Sequence, residues 1–425
     1  MPTPVFACGV ECGIIGVLST HLRSTQSSSA SIVTSPVKTG KYALRLNPAA
    51  ARAEQRLQFP MANEDIVMRV AVYFTSLPTA DALLIDLSAT SGAADAALGL
   101  IYHQSSGTIR THIYTTGSSA TAASGYSVTT GKWYQVDLRM RGGTAATWTV
   151  DAIVDETAIT GVSLSAATPN AGVGLYVGDD RASSATDTYD AVFDDILVSQ
   201  TYADYPLGSH HILGYVPVAD GVHNVAGAAD FEDSDLAADI LNTTTTAYLL
   251  VDDVPLKATS PTQYIELLAP PNATDYVEVR IGSPSGVPTP TRPPVFVDCV
   301  ALVAQAGTGP GNMELRLKDP SSATNQTIYT ATGVAGVVAG KYVRAGFTLN
   351  GAGTAWTVEQ ARDLRVRFGS PAAVDANPDQ YFASFMAEMA FSGSLPPTFD
   401  ADYARHPHPK VADRIYGGKS RGDSL

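Results

Sequence analysis

Three cysteines in 425 residues are too few for the dense disulfide framework of a small secreted scaffold. No run approaches the roughly 20 apolar residues of a membrane helix, so membrane insertion is not expected. Positive charge is scarce as well. Lys and Arg number 27 against 41 Asp and Glu, a formal charge of −14 that repels a phosphate backbone and argues against nucleic acid as a partner. The start, Met1-Pro-Thr-Pro4, lacks a basic stretch, an apolar core and a cleavage site, which predicts synthesis in a cytoplasm without secretion. The usual catalytic signatures are missing too. There is no Gly-x-Ser-x-Gly, no His-Glu-x-x-His, no phosphate loop, and no alternating acidic run that would set two carboxylates across a cleft. The expectation is a protein that is not an enzyme and needs no cofactor.

What is present is short-period alternation. Ile66, Met68, Val70, Val72 and Phe74 interleave with Val67, Arg69, Ala71 and Tyr73. Tyr134, Val136, Leu138 and Met140 face one way, while Gln135, Asp137 and Arg139 face the other. This pattern puts one side of a strand on a core and the other toward water. Such runs recur between clusters of Gly, Asn, Asp and Ser, which reads as all-β. Strands are expected at 42–46, 66–74, 82–87, 98–103, 109–114, 133–140, 148–154, 174–177 and 193–198. A second set is expected at 248–251, 264–268, 276–281, 295–305, 313–318, 342–349, 364–368 and 381–391. We therefore expect two antiparallel β-sandwiches of jelly-roll type in tandem: residues 1–200, a linker at 201–214, and 215–393. An extended Gly/Pro-rich basic tail then covers 394–425. The proline-dense stretch 282–294 reads as a long inter-strand loop. Trp133, Trp148 and Trp356, on alternating strands, are expected in the cores.

Three segments resemble the concanavalin A-like, laminin-G-like jelly roll: Thr39-Gly-Lys-Tyr-Ala-Leu-Arg-Leu46, Thr130-Gly-Lys-Trp-Tyr-Gln-Val-Asp-Leu138 and Tyr189-Asp-Ala-Val-Phe-Asp-Asp-Ile196. The whole layout is similar to a group of tailed-bacteriophage virion proteins. That likeness rests on Pro4-Val-Phe-Ala-Cys-Gly-Val-Glu-Cys-Gly13 at the start, the 353–369 stretch around Trp356, and Ala383-Ser-Phe-Met-Ala-Glu-Met-Ala390. The resemblance implies a non-enzymatic structural protein of the virion, made in the bacterial host cytoplasm. It would form part of a tail or baseplate fibre or a minor tail structure. Alternatives are a capsid decoration or head-spike protein, or an adhesin for host polysaccharide. It further implies a homo-oligomer, a trimer by analogy with fibres and spikes, in contact with other virion proteins. Anchoring falls to residues 2–13 or to the tail.

Individual residues sharpen this picture. Tyr126, Tyr176 and Tyr189, near strand ends, are candidate glycan-contact aromatics, because a sugar stacks its apolar face on such rings. Arg405, Lys410, Arg414, Lys419 and Arg421 give the tail a charge opposite to the acidic body, which suits docking on a neighbouring copy. Asp179 and Asp180 are a candidate calcium site, with solvated turn carboxylates as the default reading. Cys8 and Cys12 form a Cys-x3-Cys without the second pair that zinc requires, and read as small buried residues or a late disulfide. His210-His211 reads as a surface pair in the linker, and Arg421-Gly-Asp423 as a chance triplet.

Overall fold

The computed structural model describes residues 3–13, 30–48, 54–57, 65–88, 96–115, 118–142, 145–165, 174–178, 188–221, 223, 231–233, 238–239, 251, 264–267, 276–284, 287–305, 310–319, 324–335, 340–370 and 380–393. Among these, regular structure is antiparallel strand throughout, save for a one-turn helix at Val358–Arg362 and short 3-10 turns at Gln104–Ser106 and Tyr202–Asp204. The all-β expectation holds.

The first unit consists of an eight-stranded and a seven-stranded sheet. The eight-stranded sheet runs in the order Thr157–Ser165, Thr147–Val154, Trp133–Arg141, Asp65–Ser76, Asp190–Ser199, Ala43–Leu46, Ala30–Val33, with Pro4–Cys8 beside Asp190–Ser199. The seven-stranded sheet is built around Thr108–Thr115, Ala96–His103, Ala82–Ser88, Gly174–Gly178 and Glu54–Leu57. Val70, Leu138, Val150 and Phe193 of one sheet share a core with Leu84, Leu100, Ile113 and Val177 of the other. Alternation is what makes this possible, since each strand sends every second side chain inward.

In the second unit the expected pair of separate sheets is replaced by one eleven-stranded sheet. Strand His210–Asp220 explains the difference. Its first half pairs with Gln380–Ser392 and its second half with Tyr276–Gly282, with a register shift between Pro217 and Ala219. A bulge bends the strand, so one strand serves two layers. The sheet curls until Gln326–Ala335 lies against Lys341–Phe347, which nearly closes it into a barrel. Trp356, Phe368, Phe382 and Phe385 fill the interior. Trp356 sits before the one-turn helix rather than on a strand, and its Nε1 donates to the Phe347 carbonyl at 3.1 Å.

The linker is shorter than the expected 201–214. His210 and His211 already belong to a strand and are buried, not a surface pair. Their Nδ1 atoms donate to the carbonyls of Gly208 and Gly393, each at 2.8 Å, and His211 stacks on Phe391 with ring centroids 5.5 Å apart. Burial pushes both imidazole pKa values down.

The N-terminal segment is the second correction. Residues 4–13 do not project as an anchor. Strand Pro4–Cys8 pairs with Asp190–Ser199 of the first unit and also touches Phe296–Gln305, Lys341–Phe347 and Gln380–Ser392 of the second. It is a buried strap across the seam between the units.

Candidate functional site

Strand Trp133–Arg141 carries the site. Tyr134, Val136, Leu138 and Met140 go into the core, so parity sends Trp133, Gln135, Asp137, Arg139 and Arg141 to the outer face. The neighbouring strand Asp65–Ser76 meets them in register: Trp133 opposite Tyr73, Asp137 opposite Arg69, Arg141 opposite Asp65. Trp133 is therefore not a core residue. It is half-buried and leans on Tyr73 with ring centroids 5.4 Å apart and planes at 55°. Trp148 and Trp356 do sit in the cores, at 1% and 3% exposure.

The linker crosses the lower part of this face. Arg139 is held between the rings of Tyr202 and Tyr205, at 4.4 and 4.7 Å, and Arg141 lies 4.2 Å from Tyr202. Such contacts stabilise by about 0.5–2 kcal/mol each. Leu207 then donates its N–H to Asp137 Oδ1 at 3.1 Å. Above this crossing a pocket of about 490 Å³ opens between Pro206–Ser209 of the linker, the sheet face at Arg69, Gln135 and Asp137, and the turn after Val154.

That turn is a two-residue hairpin loop, Asp155-Glu156, with φ of +46° and +65°. Both residues sit in the left-handed region that a tight hairpin demands and that Asn-Gly usually fills. Asp155 is firmly held. Its N–H donates to the Gln135 carbonyl at 2.9 Å, and its carboxylate accepts from the Gln135 N–H at 2.9 Å, Tyr126 OH at 3.3 Å and Lys132 Nζ at 3.1 Å. Glu156 is exposed. Arg69 and Asp137 form a buried ion pair. Burial lowers the Arg69 pKa and raises that of Asp137; their mutual attraction opposes both shifts, and the Leu207 N–H opposes that of Asp137. Two buried donors on residues that line the pocket, Arg69 Nε and Gln135 Nε2, have no hydrogen-bond acceptor among the described residues.

A second cluster of charge lies at the seam. Arg344 reaches Asp298 at 3.0 Å, Glu388 at 3.5 Å and the Ala7 carbonyl at 2.5 Å, and covers the Phe6 ring at 4.1 Å. Glu11 accepts from the Lys41 N–H at 2.9 and 3.0 Å. Asp194 accepts N–H bonds from Lys38 at 2.7 Å and Thr39 at 3.2 Å. Asp195, at φ +51° in the bulge of its strand, accepts from Thr39 Oγ1 at 2.5 Å and from the Ile212 N–H at 2.9 Å. Burial raises the pKa of Glu11, Asp194 and Asp298, lifts Asp195 to about 6, and lifts Glu388 to about 7 against the pull of Arg344. Burial, then Glu388, also raises the thiol pKa of Cys8 and Cys12. Both cysteines are free and buried, so the disulfide reading fails. The cluster is a structural lock whose carboxylates are buried, with the Arg344 side chain 14% exposed.

Of the aromatics expected from sequence, Tyr126 borders the pocket through Asp155 and packs edge-on against Tyr134. Tyr189 is 2% exposed and belongs to the core of the first unit, so it presents no ring face to a sugar. Tyr176 is 3% exposed, opposite Asp86 in the seven-stranded sheet, and is equally unavailable. Asp179, Asp180 and the basic tail residues Arg405, Lys410, Arg414, Lys419 and Arg421 lie outside the described residues. Among the described residues no group of three or more His, Cys, Asp or Glu is placed to hold a metal, and no helix is long and apolar enough to cross a membrane.

No family model matches the chain, and neither does any curated protein. Solved structures give distant likenesses. An endo-beta-1,4-glucuronan lyase from Trichoderma reesei is 12% identical, covering 48% of this chain and 98% of its own, at a TM-score of 0.35. The alginate lyase Aly36B is 13% identical over 47% and 93%, at 0.32. Trypanosoma rangeli sialidase is 20% identical over 41% and 27%, at 0.30. At such scores the function has to be read from the site itself.

Proposed function

We propose that this chain is a non-enzymatic structural protein of a bacteriophage particle whose first unit, a concanavalin A-like sandwich, contacts host surface polysaccharide. The observation that carries the reading is the outer face of strand Trp133–Arg141. A half-buried Trp133–Tyr73 pair stands about 7 Å along the strand from Gln135 and the polar pocket beside it. An apolar ring face next to converging donors and acceptors suits a sugar, whose ring faces are apolar and whose edges are hydroxylated. The sequence likeness to phage virion proteins supports the virion setting, as part of a tail or baseplate fibre or as a capsid decoration.

With the strap consumed inside the fold, the basic segment 394–425 becomes the candidate anchor and the contact to neighbouring copies in a homotrimer. The test is titration of the full chain with polysaccharide from host cells, followed by isothermal titration calorimetry and a reducing-end assay. Saturable binding without new reducing ends, lost in Trp133→Ala, is the expected result. Release of new ends, or binding unchanged in Trp133→Ala, overturns the reading.

A further inference from the structure

The charges around the pocket are balanced except at one point. Arg69 pairs with Asp137, and Lys132 pairs with Asp155 at 3.1 Å. Glu156 has no ion-pair partner among the described residues, stands exposed on the turn, and exerts its charge on Arg69. The two-residue hairpin sets its left-handed backbone and places it beside the pocket. Behind it lie the two donors without acceptors, Arg69 Nε and Gln135 Nε2; Arg69 is only 7% exposed. The pocket is thus lined by Arg69 and Gln135, each with a buried unsatisfied donor, and by the exposed Glu156, with the Trp133–Tyr73 pair farther along the same sheet face.

Resting on the glycan-contact reading above, we infer that this pocket selects sugars bearing a cationic amine and rejects uronates. Ring and hydroxyl oxygens of such a sugar accept from Gln135 and Arg69, its ammonium meets Glu156, and its apolar face lies on Trp133. A uronate would bring a second negative charge to a rim that is already uncompensated, on a chain of net charge −14. Only the ammonium carries a charge opposite to that of Glu156, while the hydroxyls are common to all these sugars, which is why the amine decides the preference.

The experiment compares three probes on the full chain in mildly acidic buffer, where sugar amines are protonated: a fully deacetylated glucosamine oligomer, a neutral cello-oligomer and an oligogalacturonate. Trp133 is the reporter, since Trp148 and Trp356 are buried. The glucosamine oligomer is expected to bind best. Glu156→Gln should weaken that probe alone by about 5–10-fold, with thermal unfolding unchanged. Glu156→Asn, better suited to the left-handed turn, serves as a second variant against loss of the turn. Equal or tighter binding of the oligogalacturonate, or an amine preference that survives both variants, overturns this inference and leaves the glycan reading standing. No binding of any probe, or of host polysaccharide, by the parent chain overturns both.

Discussion

The backbone N–H of Glu11 donates to Oε1 of Glu388 at 2.8 Å, joining residues 377 positions apart across the seam of the two units. Glu388 is fully buried and shares Arg344 with Asp298. The strap is thereby fixed by charge as well as by strand pairing.

Stability should fall as pH rises from the acidic range to neutrality. A carboxyl whose folded pKa exceeds its unfolded one binds its proton more tightly in the folded chain. Its contribution is complete below the unfolded value and is lost as pH climbs to the folded one. For Glu388 the window runs from 4.5 to about 7, and for Asp195 from 3.8 to about 6. Glu388 alone accounts for a change of about 3 kcal/mol. Urea midpoints measured across this window should decline, and Glu388→Gln should flatten the decline.

Arg344→Ala should destabilise the chain by about 3–5 kcal/mol at neutral pH, because it strands two buried carboxylates without their cation. Replacing Arg344, Asp298 and Glu388 together by Met, Asn and Gln should recover most of that loss. Chemical denaturation of both variants decides it.

Gly40→Ala should expel the strap. A Cβ at position 40 would stand 1.7 Å from Glu11 Oε1, on a backbone with φ +69°. Cys8 and Cys12, sealed in the parent fold, should then react with a thiol reagent under native conditions at least about tenfold faster, following the greater opening of the seam.

On the proposed homotrimer, removing residues 394–425 should leave the fold intact and abolish that trimer. Light scattering on the full and shortened chains measures this directly. A trimer that survives the truncation sinks the anchoring role of Arg405, Lys410, Arg414, Lys419 and Arg421.

Strands with strict alternation were legible in the sequence. Those at 66–74 and 133–140 fall within the observed Asp65–Ser76 and Trp133–Arg141, and the apolar run expected at 82–87 falls within Ala82–Ser88. The strap was not legible, because Pro4–Cys8 is short and its pairing partner lies about 190 residues away in sequence. Strand Gln326–Ala335, rich in Thr, Ala and Gly, gave no alternation to read. At the candidate site the signal was present but overlooked. Parity along 133–141 groups Trp133 with Gln135 and Asp137, on the face opposite Tyr134 and Val136. The Asp155-Glu156 turn was hidden for another reason: neither residue advertises a left-handed backbone as Gly or Asn would.

The strap also sets the timetable of synthesis. Pro4–Cys8 leaves the ribosome before the strands it joins, since its partner strand comes from 190–199 and its charge partners from 298, 344 and 388. At about 5–20 residues per second, Glu11 waits on the order of 20–75 s for Glu388. The first sandwich can form within that delay, but its junction must stay open until the final strand of the second unit arrives. A chain cut short by translation keeps an unclosed seam with apolar surface and two thiols on display. Closure of the strap therefore waits until Gln380–Ser392 has been made.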